Sequence, residues 1–146
     1  MRLQQWAANG WLRPHQTTRQ QISDLLAIVD RDLADSTRDL STDWQFGIAY
    51  NAVLKLCTVL LYASGYRPEK NLAHYRTLQA LPIILGPSRS ADADYLDACR
   101  AKRNTAEYDM IGTVGQSEAD ELRAFAHELK SEVLLWLREN HPNLLS

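Results

Sequence analysis

The stretch Phe46-Gly47-Ile48-Ala49-Tyr50-Asn51-Ala52-Val53-Leu54-Lys55-Leu56-Cys57-Thr58-Val59-Leu60-Leu61 decides the fold. Its apolar residues recur at three- and four-residue spacing and cover most of the circumference of a 3.6-residue helix. Such a helix is expected to be buried on more than one side, either centrally or at a subunit contact. Ser41-Thr42-Asp43 opens it, with Gln45 three residues after Thr42 as a capping pair, and Gly65 closes it at the natural C′ position. One polar stripe interrupts the apolar surface at Asn51, Lys55, Thr58 and Tyr62. It is either the solvent face of a bundle helix or a face turned toward a bound phosphate.

Working outward, Leu3 to Asn9 predicts a short helical turn closed by Asn9-Gly10, with Trp6, Trp11 and Leu12 to dock it. Thr17 and Thr18 each stand three residues before a glutamine. The helix they open carries Ile22, Leu25, Leu26, Ile28, Val29 and Leu33 and is expected to run to about Thr37. After the loop Gly65-Tyr66-Arg67-Pro68, a shorter helix is expected from about Leu72 to Leu85, kinked or ended early by Pro82. Gly86-Pro87-Ser88 breaks the chain again before a helix from about Ala91 to Asp109. Ser117-x-x-Asp120 is read as the cap of the last helix, whose stripe is Leu122, Phe125, Ala126, Leu129, Val133 and Leu137, with His141-Pro142 ending it. No alternating pattern predicts a strand. The expected fold is all-α: one domain, an up-and-down bundle of four main helices plus one short helix and an N-terminal helical turn, with residues 1–16 as an arm.

A chain of 146 residues can bury a core without staples, and 45% apolar with 23% charged residues is globular composition. The net charge of -2 gives no global case for nucleic acid. The charge is uneven, however. Tyr66 to Arg103 holds seven Lys/Arg against four Asp/Glu, and Asn104 to Glu132 holds two against seven. An anionic ligand would be drawn to the middle third. Two cysteines without a CxxC suit reduced thiols, and no leader or membrane-length apolar run is read, so a cytoplasmic protein with no membrane contact is expected. His15, His74, His127 and His141 lack metal-ligand spacing, and there is no P-loop, GxGxxG or nucleophile elbow. Neither a metal nor a cofactor is therefore expected.

The chemistry concentrates in Arg100-Ala101-Lys102-Arg103-Asn104-Thr105-Ala106-Glu107-Tyr108-Asp109. Asn104 and Tyr108 share a helix face, and Arg103 and Glu107 share the next, where they can form an ordinary i,i+4 surface pair. Arg103 and Tyr108 lie five apart, about 140° round the helix. They converge if the helix loosens, if the long arginine swings round, or if a two-fold axis brings two copies of the motif into one cleft. Tyr108 can equally be a packing residue with its hydroxyl in water, and Asp109 a hydrogen-bond acceptor in the following turn.

With Ala49-Tyr50-Asn51-Ala52 on the long helix, its exit Leu61-Tyr62-Ala63-Ser64-Gly65-Tyr66-Arg67-Pro68, and Lys102-Arg103-Asn104 followed by Glu107-Tyr108-Asp109 on the penultimate helix, the chain resembles the HEPN superfamily (higher eukaryotes and prokaryotes nucleotide-binding). Residues 42–140 carry the match. The resemblance implies a homodimer with a composite cleft, a nucleotide or RNA ligand, and a nucleotidyltransferase-type partner in a toxin–antitoxin or defence setting. Many relatives are metal-independent ribonucleases whose motif arginine and histidine line the cleft. By position Arg103 is that arginine, Asn104 the polar residue after it, and Tyr108 stands where the histidine would be. A tyrosine is only about one part in a thousand ionised at pH 7, so Tyr108 can donate a proton but is a poor base. Glu107, or His74 from another helix, is the alternative. The expected site is therefore Arg103, Asn104 and Tyr108 as catalytic candidates, with Arg100, Lys102, Lys55, Asn51, Glu107, Asp109 and His74 around the ligand. The activity is either binding of a nucleotide or RNA, or docking of a partner. Cleavage, and a structural dimer with no ligand, are the alternatives.

Overall fold

The computed structural model describes residues 2–108 and 111–145, with the side chains of residues 107 and 108 outside that description. The chain is an all-α bundle. Its elements are α1 (Leu3–Ala8), β1 (Leu12–Pro14), α2 (Arg19–Asp35), α3 (Thr42–Ala63), β2 (Tyr66–Pro68), α4 (Ala73–Gln79), α5 (Leu81–Leu85), α6 (Ser90–Tyr108) and α7 (Gln116–Asn140), with single 3-10 turns at Pro87–Arg89 and Pro142–Leu144.

Helix α3 is the axis of the bundle. It packs most extensively on α2 and α7 and also touches α4, α5 and α6. Phe46, Ala49, Tyr50, Val53, Leu56, Cys57, Leu60 and Leu61 are all buried, because neighbours cover it on nearly every side. Each large side chain removed from water in this way contributes roughly 1.5–3 kcal/mol. Among the described residues α3 is the helix long and apolar enough to cross a membrane, but 72% of its most apolar window is buried inside the protein.

The caps follow local chemistry. Thr18 Oγ1 accepts from Gln21 N at 3.2 Å, and Gln21 Oε1 accepts from Thr18 N at 3.2 Å. At α3 the cap is Ser41, whose Oγ accepts from Trp44 N, rather than the expected Thr42–Gln45 pair. Gln45 is turned inward instead. Its Nε2 donates to Arg38 O at 3.0 Å and its Oε1 accepts from Gln116 Nε2 at 2.9 Å. Thr42 Oγ1 donates to Val114 O at 2.7 Å, and Asp43 Oδ2 accepts from Gly112 N at 2.7 Å, so the start of α3 anchors the α6–α7 loop. The cap of helix α7 is Gly115, two residues before the expected Ser117. Gly115 N donates to Glu118 Oε1 at 3.1 Å, which leaves Ser117 and Asp120 inside the helix. Pro82 has no N–H to continue α4, so the expected Leu72–Leu85 helix is split at Ala80 into α4 and α5.

The two short strands were not expected. β1 and β2 pair antiparallel, with Leu12 opposite Pro68, Arg13 opposite Arg67 and Pro14 opposite Tyr66. Three residues are too few to show alternation, and a proline in each hides the strand signal. The pair fastens the N-terminal arm. Leu3, Trp6 and Leu12 form a second small core with Leu61 and Ala80, and the Arg76 guanidinium lies 3.7 Å from the Trp11 ring centroid. Such cation–π contacts contribute roughly 0.5–2 kcal/mol.

Candidate functional site

Helix α6 carries a buried row at Ala93, Leu96, Cys99 and Ala106. Arg103 stands in register with it, four residues after Cys99 and three before Ala106. Its guanidinium is thereby aimed at the long central helix rather than into bulk water. The Cζ atom lies 5.6 Å from the ring centroid of Tyr50 on α3, and Nη1 is 3.5 Å from Asn104 Oδ1, the outer limit of a hydrogen bond. Three residues earlier, Arg100 Nε donates to Asp97 Oδ1 at 2.8 Å.

A groove of about 190 Å³ opens beside Arg103, lined also by Asp32, Trp44, Gly47, Ile48 and Asn51. Its floor holds a buried carboxylate. Asp32 is 5% exposed. Its Oδ2 accepts from Asn51 Nδ2 at 2.6 Å, and its Oδ1 accepts from Arg31 Nε and Nη2 at 3.1 and 3.0 Å. Buried polar oxygens are held in proteins by donors of this kind, and here both Asp32 oxygens have them. Trp44 forms one wall and is 59% exposed, an indole face open to solvent.

The third contributor is α4. His74 sits in its first turn, and its proton affinity is held below the ordinary histidine range. Burial is the largest cause, followed by the charges of Arg103, Lys55 and Arg100. Lys55 makes no ion pair with a described carboxylate. Arg100 and Arg103 from α6 and Lys55 from α3 therefore all act on His74 of α4. The imidazole is neutral near pH 7, which makes it a proton acceptor beside two guanidinium groups. The backbone leading into α4 is unusual as well, because Leu72 adopts φ 58, a left-handed conformation rare for leucine.

Among the expected site residues, the structure thus groups Arg103, Asn104, Arg100, Lys55, Asn51 and His74 around the α3–α4–α6 junction. Asn51 is occupied in holding Asp32. Lys102 faces the other way and pairs with Glu118 on α7. Glu107, Tyr108 and Asp109 lie outside the described side chains, so the expected meeting of Arg103 with Tyr108 lies outside them too. The Asn51, Lys55, Thr58 and Tyr62 stripe is half-buried and divided. Its first two members turn to this junction, Thr58 Oγ1 bonds Leu54 O, and Tyr62 stacks on His15 with centroids 4.2 Å apart.

Sequence reasoning missed three groups. Asp32 falls three residues after Val29 on the apolar row of α2, so a carboxylate in core register was the available signal. Tyr50 enters the sequence reading as apolar lining of α3 and as part of the Ala49–Ala52 segment, with no role at the site, and Trp44 enters it nowhere. The thiols offer no nucleophile. Burial pushes Cys57 up to about 12, and burial pushes Cys99 up to about 11 against an opposing hydrogen bond from Tyr95. Among the described residues no group of three or more His, Cys, Asp or Glu side chains is placed to hold a metal ion. No family model, no curated protein and no solved structure matches this chain.

Proposed function

We propose that this chain is a HEPN-like module that binds the phosphate of a nucleotide or of RNA at the α3–α4–α6 junction. It works as a homodimer with α6 near the two-fold axis, beside a nucleotidyltransferase-type partner in a toxin–antitoxin or defence system. The observation that carries the binding role is the gathering of Arg103, Lys55 and Arg100 about His74, whose proton affinity is lowered by burial first and then by those three charges. Like charges held together in a folded protein favour an anion among them. The open indole of Trp44 beside Arg103 gives a base a face on which to stack. The dimer, the partner and the biological setting rest on the sequence resemblance alone.

A second reading, metal-independent RNA cleavage, is favoured by His74. It supplies the neutral base that Tyr108 cannot, and Arg103 is positioned to stabilise charge on the phosphate. In that reading cleavage rises with pH through the lowered His74 pKa and is flat above it.

One experiment separates the readings. Wild-type protein and Arg103→Ala are mixed with labelled single-stranded RNA in EDTA, and binding and cleavage are measured across a salt series. Binding that weakens with salt and is lost in the variant supports the module. Cleavage lost in both Arg103→Ala and His74→Ala supports the nuclease. Salt-insensitive or absent binding, with only lost stability in the variant, defeats both. Sedimentation of the wild-type protein tests the dimer.

A further inference from the structure

Tyr50 is 1% exposed, one of the most deeply buried large side chains in the protein. Its ring packs beneath the Arg103 guanidinium at 5.6 Å. Its hydroxyl is fully out of water and meets no hydrogen-bond partner among the described residues. That is a costly arrangement. A buried donor without an acceptor forfeits its bonds to water and gains nothing in return, and native proteins leave few such groups. Phenylalanine would fill the same space without the penalty. The neighbourhood is cationic, since Arg103 and then Arg100 act on the phenol more strongly than Asp97 or Cys57. Burial outweighs both and pushes Tyr50 up to about 12, so the phenol keeps its proton near neutral pH and has it to donate to an acceptor.

We infer that the Tyr50 hydroxyl is a ligand-binding donor, satisfied only when an anion occupies the junction. The inference rests on the phosphate-binding reading and adds a residue to it. An anion engaged by Arg100 and Arg103 draws the Arg103 guanidinium off the Tyr50 ring and brings an oxygen within reach of the phenol. Arg103 then serves as the cover of the unliganded site and as a clamp of the occupied one. The ligand class is an oxyanion with several acceptor oxygens, such as a phosphodiester or phosphomonoester, because guanidinium and phenol donors must be met together.

The discriminating variant is Tyr50→Phe, which keeps the ring and its stacking on Arg103 and removes only the donor. Affinity for a single-stranded oligouridylate is measured beside the thermal unfolding midpoint of the free protein. The inference expects about tenfold weaker binding, the loss of one hydrogen bond to a charged group, with a midpoint equal to or above that of wild type. A purely structural hydroxyl moves the two readouts differently. If Tyr50→Phe binds as wild type does, or if its midpoint falls, the hydroxyl has another partner and the inference is overturned. Tyr50→Leu, which loses the ring, is expected to lower the midpoint and shows that the measurement responds to packing. Wild-type protein that binds neither oligouridylate nor inorganic phosphate overturns the phosphate-binding reading itself, whatever the variant does.

Discussion

The two sides of α6 carry similar residues to opposite ends. Toward α7, Lys102 meets Glu118, and the Tyr95 ring lies against Phe125 with centroids 5.5 Å apart. The lysine there has its counter-charge within the fold. Toward α3 and α4, Lys55, Arg100 and Arg103 converge on a histidine, with Asp97 taking one guanidinium and Asp32 already bound by Arg31 and Asn51. The same helix thus turns a lysine to a carboxylate on one face and gathers cations around a histidine on the other. A charge beside its counter-charge holds the fold, whereas charges of one sign held together lower stability and are retained where a ligand compensates them.

The largest perturbation should damage both faces at once. Leu96 is fully buried between them, so Leu96→Ala is expected to destabilise by about 2–5 kcal/mol in denaturant unfolding. A loss below about 1 kcal/mol would show that α6 is not packed as described. Charge reversal should then separate the faces. Arg103→Glu is expected to weaken RNA binding by tenfold or more and to flatten its salt dependence by about one phosphate contact. Lys102→Glu, on the adjacent residue but about 100° round the helix, is expected to leave binding within about twofold. Equal losses in the two variants would erase the distinction.

His74 gives a smaller but more local signal. Its folded pKa lies below the unfolded 6.5, so the unfolded chain takes up the proton first as pH falls. Its stabilising contribution is complete above pH 6.5 and declines as pH falls through the folded value. Bound phosphate offsets the neighbouring cations, so an NMR titration should show the His74 pKa rising when phosphate is added. A pKa that stays put would place the anion elsewhere. The slightest effect belongs to the Lys102–Glu118 pair. The Lys102 hydrogen bond, and then the Gly115 N–H, hold Glu118 below its usual range. The contribution of the pair is present above about pH 4.5 and lost as pH falls through the lowered value. Lys102→Ala should reduce that acid dependence, leaving the part due to the Gly115 N–H, while barely moving the midpoint at neutral pH.

The bundle itself was readable from periodicity, because burial on all sides of α3 leaves no freedom in the pattern of residues 46–61. Pro82 and Gly65 were equally plain, since each acts on its own backbone. The capping of α3 and α7 was less so. Several polar residues stood near each helix start, and tertiary demand on Gln45 and on the loop at Gly112 decided between them. The site was half legible. The cation cluster at residues 100–103 is a local signal, but its division between two faces depends on which helix lies against which side. Asp32 and Tyr50 come from elements far away in the chain, and no spacing rule joins them to Arg103. The small sheet was invisible for the reason that makes it useful, the proline in each strand.

That sheet has a further consequence. Its ladder bonds run from His15 N to Gly65 O and from Glu69 N to Trp11 O, so Pro14 and Pro68 occupy the positions whose amide groups would point outward. Each outer margin therefore lacks one of its two donors, Leu12 N–H remaining on β1 and Tyr66 N–H on β2. The N-terminal arm can be sewn to the body by β-pairing without offering the protein a seam along which copies could stack into fibres.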